Sequence, residues 1–121
     1  MANLGWMKEM LDTVDRMDAE GFSRFFAAGG TMRYGNGPSV SGPAGVREFS
    51  ANFFAAINGI SHRVLGLWET DGGVFCQGEC TYQRKDGRAV TLPFLTLSKQ
   101  GNAGLSEYLV YMDAAPIFAP A

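Results

Sequence analysis

His62 is the only histidine in the chain and the only side chain whose ordinary pKa lies near neutral pH. It lies in the segment SHRVLGLWE, where alternate residues of a strand share a face, so His62, Val64, Gly66 and Trp68 are predicted to point inward. An inward histidine could exchange a proton with a bound ligand, which makes His62 the candidate catalytic residue. A histidine that is hydrogen-bonded to a neighbour and has no catalytic role is the alternative, and the sequence leaves both open.

Tyrosines recur on the predicted strands around His62. Tyr34, Tyr82 and Tyr108 could donate hydrogen bonds to a substrate carbonyl or enolate, although core aromatic residues with one bonded hydroxyl would look the same. The predicted pocket lining is Tyr34, Trp68, Cys80, Tyr82, Phe94 and Tyr108 from the strands, with Met10, Val14 and Phe53 from the helices. Such a lining is mostly apolar with a few polar groups, so it suits an apolar aromatic or alicyclic small molecule better than a charged one.

No metal or organic cofactor is expected. Cys76 and Cys80 are the only cysteines, and in a strand they are too far apart for a disulfide. They also lack the further histidine or cysteine ligands of a structural zinc site. The chain contains no phosphate-binding glycine loop. We therefore interpret the two cysteines as buried free thiols.

Three helices and a run of strands must position these residues. From Leu4 to Met17, apolar residues recur at spacings of three and four, which predicts an amphipathic helix whose polar side includes Asp15. Asp18 can cap a short second helix through GFSRFFA, and Gly29 and Gly30 are predicted to end it. A short strand, TMRYG, precedes a third helix in GPAGVREFSANFFAAIN. Four consecutive antiparallel strands follow between Ser61 and Asp113. The order predicts an α+β fold in which helices cover one face of a strongly curved, mainly antiparallel sheet.

Length and composition restrict the partners. The 121 residues, 46% hydrophobic and 18% charged, fit one globular domain spanning residues 1–121. The net charge of -2 and the lack of a basic run argue against nucleic acid as a partner. No apolar run is long enough for a membrane span, and the N-terminus does not resemble a signal peptide, so a cytoplasmic protein is expected.

The order of elements and several phrases resemble a known superfamily. FSRFFAAGGTMRYGN, GPAGVREF, His62 followed by Trp68, TYQRKDGRAVTLP and SEYLVYMDAAP are similar to nuclear transport factor 2-like proteins. Within that superfamily they resemble the SnoaL-like polyketide cyclase and ketosteroid isomerase-like group. The resemblance covers nearly the whole chain and implies a cone-shaped α+β barrel that forms a homodimer. It says less about function, because the superfamily includes isomerases, hydrolases, dehydratases, cyclases and non-enzymatic members.

The resemblance implies which positions of this chain match the catalytic residues of related enzymes, and the residues found there argue against several of those reactions. The catalytic tyrosine and two aspartates of ketosteroid isomerases correspond here to Met10, Tyr34 and Thr96, or Leu95 under a one-residue shift. The aspartate, arginine and aspartate of limonene epoxide hydrolases correspond to Cys80, Gly78 and Val110. Scytalone dehydratase uses two histidines where this chain has one. SnoaL-type cyclases rely on an inward carboxylate, and no aspartate or glutamate is predicted to point inward.

Two functions remain open. The first is a cofactor-independent isomerase, cyclase or dehydratase that transfers protons on an apolar, carbonyl-bearing substrate. The second is a non-catalytic binding or accessory protein with the same pocket. An inward carboxylate beside His62 would favour the enzyme. A homodimer is expected through the outer face of the sheet, where the predicted apolar residues are Leu65, Leu67, Phe75, Pro93, Leu95, Leu97, Leu109 and Tyr111.

Overall fold

The protein is an α+β fold in a computed structural model that describes residues 4–120. The helices are α1 (Gly5–Asp15), α2 (Ala19–Ser23), α3 (Gly42–Ala55) and α4 (Ala115–Phe118). The strands are β1 (Phe26–Tyr34), β2 (Val40–Ser41), β3 (Ile57–Thr70), β4 (Gly73–Arg84), β5 (Ala89–Gly101) and β6 (Gly104–Tyr111). They form one six-stranded sheet in the order β2-β1-β6-β5-β4-β3.

The predicted fold class is confirmed, with more sheet than expected. Strands β3 to β6 pair antiparallel in chain order, as predicted, whereas β1 adds to β6 in parallel and carries β2 on its other side. The sheet is curved but does not close into a barrel, because β2 and β3 are its two edges. None of the helices within residues 4–120 is long and apolar enough to cross a membrane.

Helix α1 ends in a tight turn that fixes the direction of its last side chains. Met17 has a φ of 56°, the left-handed conformation that usually favours glycine. The Met17 amide donates to the carbonyl of Val14, and the Asp18 amide donates to that of Thr13. This pair of bonds is a Schellman cap, and it holds Asp15 in the last turn of the helix. Asp18 then caps α2, as predicted, by accepting from the Gly21 amide.

The predicted end of the second helix is wrong. Helix α2 stops at Ser23, and Phe26 already belongs to β1, where it pairs with Leu105 of β6. Pairing with a neighbouring strand outweighs the local helical preference of this segment. Gly30 therefore serves the sheet, since a Cβ there would lie 2.3 Å from the carbonyl oxygen of Leu105, whereas Gly29 has open space.

A β-bulge in β3 changes the predicted side-chain directions beyond Val64. Val64 pairs with Gly78 of β4, but Gly66 pairs with Gln77, so one extra residue is inserted between them. After the bulge, Leu67 lies opposite the buried Cys76, and Trp68 opposite Phe75. The prediction is therefore correct for His62 and Val64 and wrong for Gly66 and Trp68, which lie on the outer face, where Trp68 is 51% exposed. It is also wrong for Leu67, which lies on the inner face rather than on the predicted outer dimer face.

The core lies between the helices and the concave face of the sheet. Buried residues alternate along β4 and β5, as the period of two predicts for strands with one covered face. The largest fully buried side chains include Met7 and Met10 of α1, Tyr82 of β4 and Leu105 of β6. Cys76 and Cys80 are buried and free, as expected.

Candidate functional site

The site is built around a contact between the end of α1 and the edge strand β3. Oδ1 of Asp15 lies 2.5 Å from Nδ1 of His62, and Oδ2 of Asp15 accepts a hydrogen bond of 3.1 Å from the His62 backbone amide. The His62 side chain is 12% exposed and that of Asp15 is 26% exposed. One carboxylate thus fixes both the ring and the backbone of the histidine, as in an oriented acid-base dyad.

The inward carboxylate that sequence reasoning did not find is Asp15. The helical pattern assigned it to the polar side of α1, yet it follows Leu11 by four residues, at the border of the apolar face. Its position carried a second signal. A carboxylate in the last turn of a helix is disfavoured by the helix dipole, so an aspartate there suggests a cationic partner. That partner is His62.

Asp15 favours the charged form of His62. Burial is the largest influence on the ring and acts to lower its pKa. The hydrogen bond to Asp15, the nearby thiol of Cys80 and the charge of Asp15 outweigh burial and raise the pKa of His62 to about 9. The imidazolium is therefore the main form at neutral pH. With Nδ1 bonded to Asp15, Nε2 is the nitrogen that can exchange a proton with a ligand.

An apolar cavity, which we call the inner cavity, lies beside the dyad between the helices and the sheet. Its free volume is about 60 Å³. His62 is part of its wall, and the ring of Phe94 meets the His62 ring edge-on at a centroid distance of 5.4 Å. The other lining residues are mostly apolar and come from helices α1, α2 and α3, from strands β1, β3, β4, β5 and β6, and from the turn after β6. They are Leu11, Val14, Phe22, Met32, Tyr34, Phe49, Ser50, Phe53, Phe54, Ile60, Cys80, Tyr82, Thr96, Tyr108, Val110 and Met112.

Two tyrosines supply the polar groups at one end of the inner cavity. The hydroxyls of Tyr34 and Tyr82 lie 2.8 Å apart, and the sulfur of Met112 lies 3.3 Å and 3.5 Å from them. Burial raises the pKa of Tyr34, of Tyr82 and of Tyr108. All three hydroxyls therefore stay protonated at neutral pH and can donate hydrogen bonds.

The cavity collects most of the residues that the sequence placed there. His62 and seven of the predicted lining residues border it: Val14, Tyr34, Phe53, Cys80, Tyr82, Phe94 and Tyr108. Met10 does not, since it is fully buried in the core beside the cavity. Trp68 is a correction as well, because the β3 bulge turns it to the outer face. Whether any of these residues contacts a ligand stays a prediction.

The described residues offer little to a metal ion. Between Leu4 and Pro120, no cluster of three or more His, Cys, Asp or Glu side chains could hold one. The groups that could act chemically in the inner cavity are instead the imidazolium of His62 and tyrosine hydroxyls, while the Asp15 carboxylate acts on the ring through Nδ1 without lining the cavity. These groups can protonate or hydrogen-bond an oxygen of a bound small molecule.

Similar folds occur in solved structures. A protein with a ketosteroid isomerase-like fold from Catenulispora acidiphila, in complex with trimethylamine, has a TM-score of 0.87 at 14% identity, over 98% of this chain and 92% of its own. An NTF2-like protein of unknown function from Burkholderia pseudomallei has a TM-score of 0.86 at 18% identity, over 97% and 95%. A protein described as a candidate SnoaL-like polyketide cyclase, from Jannaschia sp. CCS1, has a TM-score of 0.74 at 17% identity, over 95% and 92%. At these identities the likeness supports the fold alone.

The comparison of sequences gives the family. No curated protein sequence matches the chain at a significant level. The profile of the SnoaL-like domain matches residues 7–99, a stretch that runs from α1 through most of β5 and includes Asp15, His62 and Cys80. The resemblance inferred from the sequence is confirmed, and the chain belongs to the SnoaL-like domain family.

Proposed function

We propose that the protein is a cofactor-independent enzyme that protonates an oxygen of an apolar, carbonyl-bearing substrate in the inner cavity. The observation that carries the proposal is the 2.5 Å contact between Asp15 and His62 at the wall of that cavity. It supplies the carboxylate whose absence weakened the enzyme interpretation. A pKa of about 9 makes His62 an acid rather than a base at neutral pH.

The chemistry that fits best is the loss of water from a β-hydroxycarbonyl compound, or the related cyclisation. In the dehydration, Nε2 of His62 gives its proton to the leaving hydroxyl, and the C–O bond breaks to release water. The neutral ring nitrogen then accepts the proton on the carbon next to the carbonyl, which forms the double bond and restores the imidazolium. Asp15 stabilises the charged ring and holds Nδ1 protonated throughout. Tyr34 or Tyr82 can donate to the substrate carbonyl.

A non-catalytic binding protein is the second candidate. It is favoured by the arrangement of Tyr34, Tyr82 and Met112, whose polar atoms already satisfy one another. In this case His62 and Asp15 would hold α1 against β3 and have no role in proton transfer. The two candidates predict the same ligand class and differ in turnover.

The test uses a simple β-hydroxyketone, 4-hydroxy-4-phenylbutan-2-one, whose dehydration gives a conjugated product that is followed by ultraviolet absorbance. We expect the wild-type protein to accelerate the reaction, His62→Gln to abolish the acceleration, and Asp15→Asn to reduce it at least tenfold. Arg63→Gln is the matched control, because Arg63 is the next residue and its side chain is 76% exposed. Equal rates for the wild-type and His62→Gln proteins would favour the binding protein.

A further inference from the structure

A second hollow, which we call the outer groove, lies between α1 and the middle of β3. Its free volume is about 360 Å³, within the roughly 300–1,000 Å³ of small-molecule sites. Among the described residues its apolar walls are Leu4, Met7, Leu11, Val64 and Leu67, and its charged members are Lys8, Asp12, Asp15 and His62. The groove therefore borders the Asp15–His62 pair and shares His62 with the inner cavity.

The bulge in β3 builds the wall of the outer groove. Without the extra residue after Val64, Leu67 would point to the outer face of the sheet, whereas with it Leu67 lies beside α1. Bulges are common next to functional sites, where they redirect a side chain. Val64 and Leu67 are 46% and 37% exposed. The groove thus presents two large apolar side chains to whatever fills it.

Leu11 and His62 form a partition between the two hollows. Both residues line the inner cavity and the outer groove, and Leu11 is only 5% exposed. The inner cavity alone is small, at about 60 Å³. An apolar cavity of roughly 150 Å³ is the size that takes up benzene. A ring can therefore enter the inner cavity only if a wall residue moves.

We propose that the inner cavity and the outer groove are two halves of one ligand site, joined when the side chain of Leu11 moves aside. The ring or carbonyl end of the ligand lies in the inner cavity near Nε2 of His62, and an apolar extension lies along Val64 and Leu67. This inference rests on the proposed function, because it assumes that a ligand enters the inner cavity. To the proposed function it adds that the ligand is long enough to span both hollows and that it reaches the inner cavity past Leu11.

The charges of the outer groove define the ligand class further. Nζ of Lys8 lies 2.7 Å from Oδ2 of Asp12, and His62 is paired with Asp15. The two cations are thus matched by two carboxylates, which leaves no net charge to attract an ion. The ligand is therefore an uncharged, elongated molecule with a carbonyl or hydroxyl at its inner end.

The experiment compares 4-methylphenol and 4-pentylphenol as uncharged probes, with affinities measured by calorimetry on the full chain. Each buried methylene improves affinity about fourfold, so we expect 4-pentylphenol to bind at least tenfold more tightly. Leu67→Asn should lower the affinity for 4-pentylphenol at least fivefold and leave the affinity for 4-methylphenol unchanged. Leu65→Asn is the matched control, because Leu65 is 52% exposed and lines neither hollow.

Leu11→Ala tests the partition. Removing most of this side chain should join the two hollows, so the association rate of 4-methylphenol should rise at least threefold in stopped-flow measurements. Leu11→Val makes the same test with a smaller truncation if the alanine variant does not fold. An unchanged rate in a folded variant would overturn the role of Leu11.

The outcomes separate the two proposals. Equal affinities for the two phenols, or equal effects of Leu67→Asn and Leu65→Asn, would overturn the two-part site and leave the proposed function standing. Failure of both phenols to bind at millimolar concentration would overturn this inference, whereas the proposed function stands or falls with the turnover of 4-hydroxy-4-phenylbutan-2-one.

Discussion

Both oxygens of the Asp15 carboxylate are bonded to His62, one to the ring nitrogen Nδ1 at 2.5 Å and the other to the backbone amide at 3.1 Å. The backbone contact satisfies an amide on the outer side of an edge strand, which would otherwise face water or another chain. The same pair therefore joins α1 to β3 and sets the protonation state of the histidine. The Asp15–His62 contact therefore links the packing of α1 on β3 to the protonation state of His62, and each can be tested.

The stability of the fold should decrease at alkaline pH. A group whose pKa is higher in the folded state stabilises the fold fully below its unfolded pKa, about 6.5 for histidine, and loses this effect as pH rises through the folded pKa. For His62 that window runs from about pH 6.5 to about pH 9. We expect a loss of at most about 3 kcal/mol across it, measured by urea unfolding.

The control for this pH dependence is His62→Gln, which has no titrating ring. The difference in unfolding free energy between the two proteins should shrink steadily across the same window. A difference that stays constant from pH 6 to pH 10 would contradict the raised pKa of His62.

Gly30 and Gly29 form a matched pair in β1. Gly30→Ala would place a Cβ 2.3 Å from the Leu105 carbonyl oxygen, so β1 and β6 must separate. We expect a loss of about 2–3 kcal/mol in unfolding free energy, as for other overpacked sites. Gly29→Ala meets no atom within 4 Å and should change stability by less than about 1 kcal/mol. Equal effects would contradict the parallel pairing of β1 with β6.

Arg84 anchors the C-terminal segment. Its guanidinium donates to the carbonyls of Pro116, at 2.7 Å, and of Ala119, and it pairs with Asp86 at 2.9 Å. The side chain is 10% exposed. Arg84→Ala should therefore cost about 2–3 kcal/mol. It should also speed amide hydrogen exchange in α4.

Arg88 is the control for Arg84. It pairs with the same aspartate at 3.3 Å, but its side chain is 54% exposed, so Arg88→Ala should cost less than about 1 kcal/mol. Similar losses from both variants would show that the charge of Asp86, rather than the buried carbonyl contacts, carries the effect.

A row of apolar side chains on the outer face of the sheet is the surface through which the predicted homodimer would form. Trp68, Phe75, Leu97 and Leu109 lie side by side on four adjacent strands, and Leu95 lies opposite Tyr111. Tyr111 is 55% exposed in the isolated chain. We expect Leu95→Asp to turn a dimer into a monomer in sedimentation at micromolar concentration, because it places a charge within an apolar interface.

The control for the dimer is Ala51→Asp, on an exposed position of α3. It should leave the sedimentation coefficient unchanged. A wild-type protein that already sediments as a monomer would contradict the dimer itself.

Regular alternation made most of the sheet predictable. In β4 nearly every second residue is buried, so the inward direction of Cys80 and Tyr82 followed from a period of two. The direction of Phe94 followed from the pairing of β5 with β4, because paired residues share a face. His62 precedes the bulge, so the period of two placed it correctly as well. Trp68 follows the bulge, and the only mark of the bulge in SHRVLGLWE is Gly66, since an isolated glycine inside a strand often accompanies one. Its direction could not be read from the strand pattern alone.

The carboxylate partner of His62 was missed for a different reason. Helical periodicity separates an apolar from a polar side, but Asp15 lies at the border between them. Its contact with His62 joins residues 47 positions apart, and such long-range contacts leave no mark in local sequence patterns. The same holds for Phe26–Gly30, whose strand depends on pairing with β6. The parallel addition of β1 to β6 therefore required the structure.

The most direct test of the Asp15–His62 dyad is a pH titration of the imidazole by nuclear magnetic resonance, in the wild type and in Asp15→Asn. The chain contains one histidine, so its ring signals need no assignment. We expect a pKa of about 9 in the wild type. In Asp15→Asn the value should fall by more than one unit, because burial remains while the carboxylate charge is removed. A wild-type value near 6.5 that Asp15→Asn leaves unchanged would contradict the dyad and the acid chemistry proposed for it.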